Sequence, residues 1–200
     1  NTLTNNGSAV TAAAVASGAE LVGYSGFTAD NNLTRASDAD WDVLGTGSFS
    51  FAGWVNTSSS SGTKALIGFG ASDNATEAIV YISGGVLKFL VDGAAGTIGA
   101  IDGAAISTGA WHQFVCVQVS STERHIYQDG VLTVSSTVDT GSVSNSGNMP
   151  LAIGTWPDAA EYHATTEQLA LMRFSATAPT ATQVRQMYDA EKGMFVANAK

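Results

Sequence analysis

Two dipeptides, Gly84-Gly85 and Asp129-Gly130, do most to limit what this chain can fold into. The first stands between Ala78-Ile79-Val80-Tyr81-Ile82-Ser83 and Val86-Leu87-Lys88-Phe89-Leu90-Val91. The second stands between Arg124-His125-Ile126-Tyr127-Gln128 and Val131-Leu132-Thr133-Val134. A two-residue link that closes a hairpin needs positive φ at its central positions, and these pairs supply it without steric penalty. Two antiparallel hairpins are therefore expected, and with them an antiparallel protein. Around them, runs rich in Val, Ile, Phe and Thr recur between Gly, Ser, Asn and Asp clusters from about residue 20 to 175, giving about twelve strands in the rhythm of a sandwich or barrel.

The period of two assigns faces. In Ser48 to Val55, residues Phe49, Phe51 and Val55 share one face and Trp54 takes the other. Trp111 to Val119 reads as one long strand, and Leu151 to Gly154 and Leu169 to Phe174 as two more. That many short strands must curl or split into two facing sheets. The expected core includes Phe49, Phe51, Leu90 or Phe89, Val115 or Phe114, Ile153 and Leu171.

One segment is helical by pattern. Thr180-Ala181-Thr182-Gln183 has the capping-box form, with Pro179 just before it, and Val184, Met187 and Tyr188 follow at helical spacing. This helix is expected to dock its apolar side on the sandwich edge. Ala12 to Ala16 fits helix or strand. Asn56-Thr57-Ser58-Ser59-Ser60-Ser61-Gly62 has a linker's composition but lies too close to strands on both sides to divide domains, and is expected as a mobile surface loop. One domain is expected over residues 1–200, with its core at about 20–195.

Composition closes off several functions. With 44% hydrophobic and 12% charged residues, the chain fills a core rather than remaining disordered. Its net charge of −9 opposes phosphate backbones and anionic lipid, which argues against nucleic acid and membrane partners. No apolar run approaches a membrane span, and no signal peptide pattern opens the chain. The single cysteine, Cys116, lies within a strand and is expected as a small buried hydrophobe.

The order of these features resembles the concanavalin A-like lectin and glucanase superfamily, in its laminin-G-like branch. Phe49-Ser50-Phe51-Ala52-Gly53-Trp54-Val55 is similar to the branch's early core strand, and Trp111-His112-Gln113-Phe114-Val115 to its Trp-His strand opening. Tyr127-Gln128-Asp129-Gly130 is similar to its Tyr-x-Asp-Gly hairpin, and Leu169 to Phe174 with Pro179 to Tyr188 to its closing strand and terminal helix. The resemblance implies an all-β, two-sheet antiparallel jelly-roll sandwich with one short C-terminal helix. A narrower resemblance, to sandwich modules of tailed-bacteriophage structural proteins, rests on Leu33-Thr34-Arg35-Ala36-Ser37-Asp38 leading into Gly45 to Phe49, on Ser175 to Thr180, and on Glu191 to Phe195. It implies a tail-fibre or virion-surface setting, with other virion or surface subunits as partners and an extracellular location as the alternative. Self-association is compatible with either.

Glucanase relatives carry alternating catalytic acids on one strand, and no such run occurs here; Glu161 and Glu167 are six apart across a loop-like stretch. His112 is expected in a hydrogen-bonded structural role and His125 at the surface of its hairpin strand. A non-catalytic structural or adhesion module is the expected function, and a carbohydrate-binding lectin module the alternative, ahead of a glycoside hydrolase. If sugar is bound, the expected site is the loop bearing Trp156, Asp158, Glu161, Tyr162 and His163, because an aromatic face stacks on a sugar ring while carboxylates accept from its hydroxyls. No cofactor is required. Calcium is the one ion the acidic loops would admit, through Asp38, Asp40, Asp42, Asp73 and Asp158.

Overall fold

A computed structural model describes residues 2–13, 21–37, 47–70, 77–92, 99–138, 150–157 and 162–195. Within them lie fourteen strands in two antiparallel sheets. The first sheet runs in the order β1 (Thr4–Asn6), β4 (Asn32–Arg35), β13 (Leu151–Ile153), β6 (Thr63–Gly70), β7 (Glu77–Ser83), β8 (Val86–Asp92) and β9 (Ala100–Ala105). The second runs β12 (Val131–Ser136), β11 (Glu123–Gln128), β10 (Trp111–Ser120), β5 (Phe49–Thr57), β14 (Glu167–Ser175), β3 (Val22–Ser25) and β2 (Val10–Ala13). The expected two-sheet sandwich is the observed fold.

Both hairpins form as the dipeptides require. Ser83 pairs with Val86 around Gly84 and Gly85, at φ 59° and 78°, and Gln128 pairs with Val131 around Asp129 and Gly130, at φ 51° and 75°. Of the segment left open between helix and strand, Ala12 and Ala13 lie in β2, and the rest falls outside the described residues.

Between the sheets, Phe49, Phe51, Phe69, Phe89 and Phe114 are fully buried. Their rings meet edge-on or tilted, Phe49 with Phe51 at 5.7 Å and Phe51 with Phe69 at 5.5 Å, and half-buried Phe174 meets Phe69 at 4.8 Å. Ile153 and Cys116 belong to the same core, and burial pushes the Cys116 thiol pKa well up. Of the paired alternatives, Phe89 and Phe114 face this core, whereas Leu90 and Val115 face outward.

Leu171 departs from expectation. The ladder between β14 and β5 shifts register between Ala170 and Arg173, and Leu171 sits at φ 50° in that bulge. An extra residue flips side-chain facing. Leu171 therefore packs with Trp54 on the outer side of the second sheet instead of entering the core.

The terminal helix α1 (Ala181–Glu191) is capped by the reciprocal Thr180 and Gln183 bonds, as its sequence predicts. It lies on the outer face of the second sheet rather than on the sandwich edge. Val184 is buried there with Ala52, Val115, Val117 and Tyr127, joined by Met187. Trp54 stacks on Phe195 at 4.1 Å and on Tyr188 at 5.8 Å, and its indole N–H donates to Glu191 Oε2 at 2.7 Å. Glu191 also accepts from Arg173 at 2.6 Å and from the Gln113 amide at 3.3 Å, so its carboxylate is satisfied under the roof.

A buried ion pair joins the two sheets. Lys64 of β6 meets Glu167 of β14 at 2.7 Å, and both are sealed from solvent. Glu167 accepts further from the Thr57 hydroxyl at 2.7 Å and from the Thr166 hydroxyl and amide at 2.9 and 3.1 Å. Lys64 also donates to the Ser59 carbonyl. The Ser-rich stretch is thus tethered at Thr57 and Ser59, which a mobile-loop expectation does not anticipate.

Candidate functional site

The first sheet leaves its outer face for other uses. Along β7, Ala78, Val80 and Ile82 enter the core, so Glu77, Ile79, Tyr81 and Ser83 point outward. Gly154, at φ 81°, starts a loop that folds back over this face. Only glycine fits there, because a Cβ would overlap the Phe27 ring. The Gly154 amide donates to the Leu66 carbonyl at 3.0 Å, the Ala164 amide to the Gly154 carbonyl at 2.9 Å, and the Ala65 amide to the Tyr162 carbonyl at 2.7 Å. Both legs of the loop are pinned to β6 or to each other.

Trp156 is thereby laid across β7. Its indole N–H donates to Glu77 Oε2 at 3.0 Å, and its ring meets Tyr81 at 5.4 Å and Tyr162 at 5.2 Å, at interplanar angles of 60° and 63°. Ile79, between Glu77 and Tyr81 on the same face, is fully buried. Trp156 itself keeps part of its surface in solvent and belongs to no core cluster, so it covers an outer face and does not plug the core end. Tyr162 is exposed at φ 58°. The Tyr81 hydroxyl is held above its ordinary pKa, first by burial and then by the negative charges of Asp102 and Glu77, so it stays a neutral donor and acceptor.

Of the residues chosen from the sequence, Trp156 and Tyr162 come together, while His163 turns to a supporting role, its Nδ1 at 2.8 Å from the Thr155 hydroxyl across the two legs. Asp158 and Glu161 lie outside the described residues, as do the calcium candidates Asp38, Asp40, Asp42 and Asp73. Among the described residues no group of three or more His, Cys, Asp or Glu side chains could hold a metal. Glu77 and Tyr81 were not anticipated. Their signal was present in the alternation Glu77-Ala78-Ile79-Val80-Tyr81, which puts a carboxylate and an aromatic ring on one outward face.

Two other clusters have structural work. Glu167 is buried and paired with Lys64, while Glu161 lies outside the described residues. His112 Nε2 lies 2.7 Å from the Ser107 hydroxyl and its Nδ1 2.8 Å from Asp129, while the other Asp129 oxygen accepts the Gln113 amide at 2.9 Å. This is the order of a hydrolytic relay, but such a relay buries its carboxylate. Here Ser107 is exposed and Asp129 partly so, and the trio clamps the Asp129-Gly130 turn to β10. His125 is paired with Glu123 at 3.0 Å on its hairpin strand.

A laminin-G family model described as the concanavalin A-like lectin/glucanases superfamily matches residues 27–185. The chain belongs to that superfamily. No curated protein matches it in sequence. Among solved structures, this superfamily member is similar to the botulinum neurotoxin serotype G binding domain, at TM-score 0.71 and 13% identity over 95% of this chain and 46% of that one. It is also similar to the binding domain of Paraclostridial Mosquitocidal Protein 1, at TM-score 0.73 and 11% identity over 94% and 47%. A third similar structure is domain 4 of an extracellular arabinanase from Geobacillus stearothermophilus, in complex with arabinotriose, at TM-score 0.66 and 19% identity over 94% and 87%. The chain spans a little under half of the two toxin binding domains. At these identities the likeness is one of fold. None of it supports the tail-fibre or virion origin expected from the narrower sequence resemblance.

Proposed function

We propose that this domain is a non-catalytic carbohydrate-binding module that takes sugar at the corner formed by Trp156, Tyr81, Tyr162 and Glu77, in a surface-exposed setting. The observation that carries this reading is the fixing of Trp156. Its one donor is committed to Glu77, so the indole offers a rigid, partly exposed ring beside a second exposed aromatic. A rigid aromatic face stacks on the apolar face of a sugar with little ordering entropy to lose, the neighbouring Tyr81 and Tyr162 hydroxyls meet the sugar's hydroxyls, and buried Glu77 holds the indole in place. The toxin structures similar in fold are named binding domains, and the similar arabinanase domain was solved in complex with arabinotriose, which lends support.

The lectin alternative thus moves ahead of a purely structural module. The proposal is tested by a glycan array on the wild type, Trp156→Ala and Tyr162→Ala, with circular dichroism verifying the fold. Wild-type binding should fall about tenfold or more in Trp156→Ala, the effect of losing about 1.5 kcal/mol of stacking. Wild type that binds no glycan, or unchanged binding in Trp156→Ala, overturns it. Glycan turnover that survives rigorous purification overturns the non-catalytic part.

A further inference from the structure

Gly154-Thr155-Trp156 and Tyr162-His163-Ala164 meet in space in reversed order. The Ala164 amide donates to the Gly154 carbonyl at 2.9 Å, the Thr155 hydroxyl lies 2.8 Å from His163 Nδ1, and the Trp156 and Tyr162 rings meet at 5.2 Å. The two legs of the loop therefore form an antiparallel stem in which 154 faces 164, 155 faces 163 and 156 faces 162. Its outermost rung is the aromatic pair of the proposed sugar corner, and its middle rung is the Thr155–His163 bond.

The Trp156 leg is fixed on both sides of the tryptophan. Thr155 is fully buried and its hydroxyl has no other partner among the described residues, so it cannot exchange His163 for water. Pro157 is buried against Gly70, where a Cβ would come within 3.1 Å of the proline ring. The Tyr162 leg is less secure. Tyr162 is exposed at φ 58°, a left-handed conformation that a residue other than glycine keeps only when its surroundings impose it. Its carbonyl is held by the Ala65 amide at 2.7 Å, and the next residue, His163, is held by Thr155. We infer that Thr155 and His163 are positioning residues for the corner: their bond passes the fixed placement of the Trp156 leg on to Tyr162, so that both rings are in place before a ligand arrives. Neither residue needs to touch the sugar. Their contribution is preorganisation, which lowers the ordering cost of binding. The inference rests on the proposed function for its ligand and on the stem alone for its geometry.

The test labels the full chain with 5-fluorotryptophan and reads its four tryptophans by fluorine NMR, with Trp156 assigned by the resonance missing from Trp156→Phe. In Thr155→Val, which keeps the shape and loses the hydroxyl, and in His163→Ala, the Trp156 resonance should shift or broaden while the other three keep their positions. Thr155→Ser and His163→Asn, which retain a group able to bond across the stem, should return it. The glycan array repeated on these four variants should show binding weakened about threefold to tenfold in the first two, the range set by the net contribution of one hydrogen bond, and restored in the second two. A Trp156 resonance unmoved in both Thr155→Val and His163→Ala overturns the inference. So does movement of all four resonances, the sign of a bond that supports the fold in general, and so does a displaced resonance with undiminished binding. Should Thr155→Val fail to fold, His163→Ala, at a half-buried position, decides the matter. Wild type that binds no glycan overturns the sugar corner instead, and the fluorine spectra then decide the stem on their own.

Discussion

Removing the ammonium from the buried Lys64–Glu167 pair should be among the most damaging single changes available to this fold. Glu167 is fully buried and, among the described residues, accepts from four donors, of which Lys64 is the only charged one. In Lys64→Met the three uncharged donors remain, but the carboxylate loses its counter-ion in a site that water does not reach. Breaking such a pair from one side costs about 3–5 kcal/mol, a large part of the roughly 5–15 kcal/mol that holds a domain folded. At about 2–4 °C per kcal/mol for a chain of this length, the melting temperature should fall by about 6–20 °C. The double variant Lys64→Met/Glu167→Met removes both charges and should return to within about 1 kcal/mol of wild type or exceed it, since burying two ions is expensive to begin with. Urea unfolding followed by tryptophan fluorescence, together with calorimetric melting, measures all three. A single variant that loses less than about 1 kcal/mol, as an exposed pair would, refutes the reasoning. So does a double variant no more stable than the single.

Gly154→Ala should destabilise by about 1–3 kcal/mol, through positive φ and the overlap with Phe27, and should weaken any glycan binding at Trp156 with it; unchanged melting and affinity would contradict the account of the loop. Truncation before Thr180 should lower the melting temperature by exposing Trp54 and Val115, and a melt identical to wild type would mean that the helix does not roof the sheet. Asp189, held at a pKa of about 2 by its bonds to Arg185 and Lys192, contributes stability that is complete above its unfolded value of 3.8 and is lost as pH falls towards 2. Asp189→Asn should therefore flatten part of the stability loss in that window. The effect should be small and weaker in high salt, because the group is fully exposed, and an unaltered pH profile at low salt would count against it.

The parts of this fold legible in the sequence were those fixed by local chemistry. Gly84-Gly85, Asp129-Gly130 and the Thr180–Gln183 box each specify a backbone geometry within four residues, and each appears as specified. Choosing between Val115 and Phe114 required more. Both faces of β10 are apolar because α1 covers the outer one, so alternation could not say which face met the other sheet. Leu171 failed for a related reason: a bulge breaks the period of two and leaves no mark in composition. At the site, Trp156 and Tyr162 were readable as aromatics in a polar loop. Glu77 and Tyr81 come from a strand about 80 residues earlier, and only the fold-back of the loop over β7 brings the two segments together.

The helix that roofs the second sheet gives the molecule a front and a back. A bare sandwich exposes two broad faces, and a multivalent ligand could bridge copies from either side. With Tyr188 and Phe195 stacked over Trp54, the back is already occupied by the chain's own residues. The proposed sugar corner on the first sheet is then the face each copy would offer. Copies cross-linked through a shared polymer must be set side by side with their fronts turned the same way, and the gain from multivalency depends on that alignment and not on the number of copies alone.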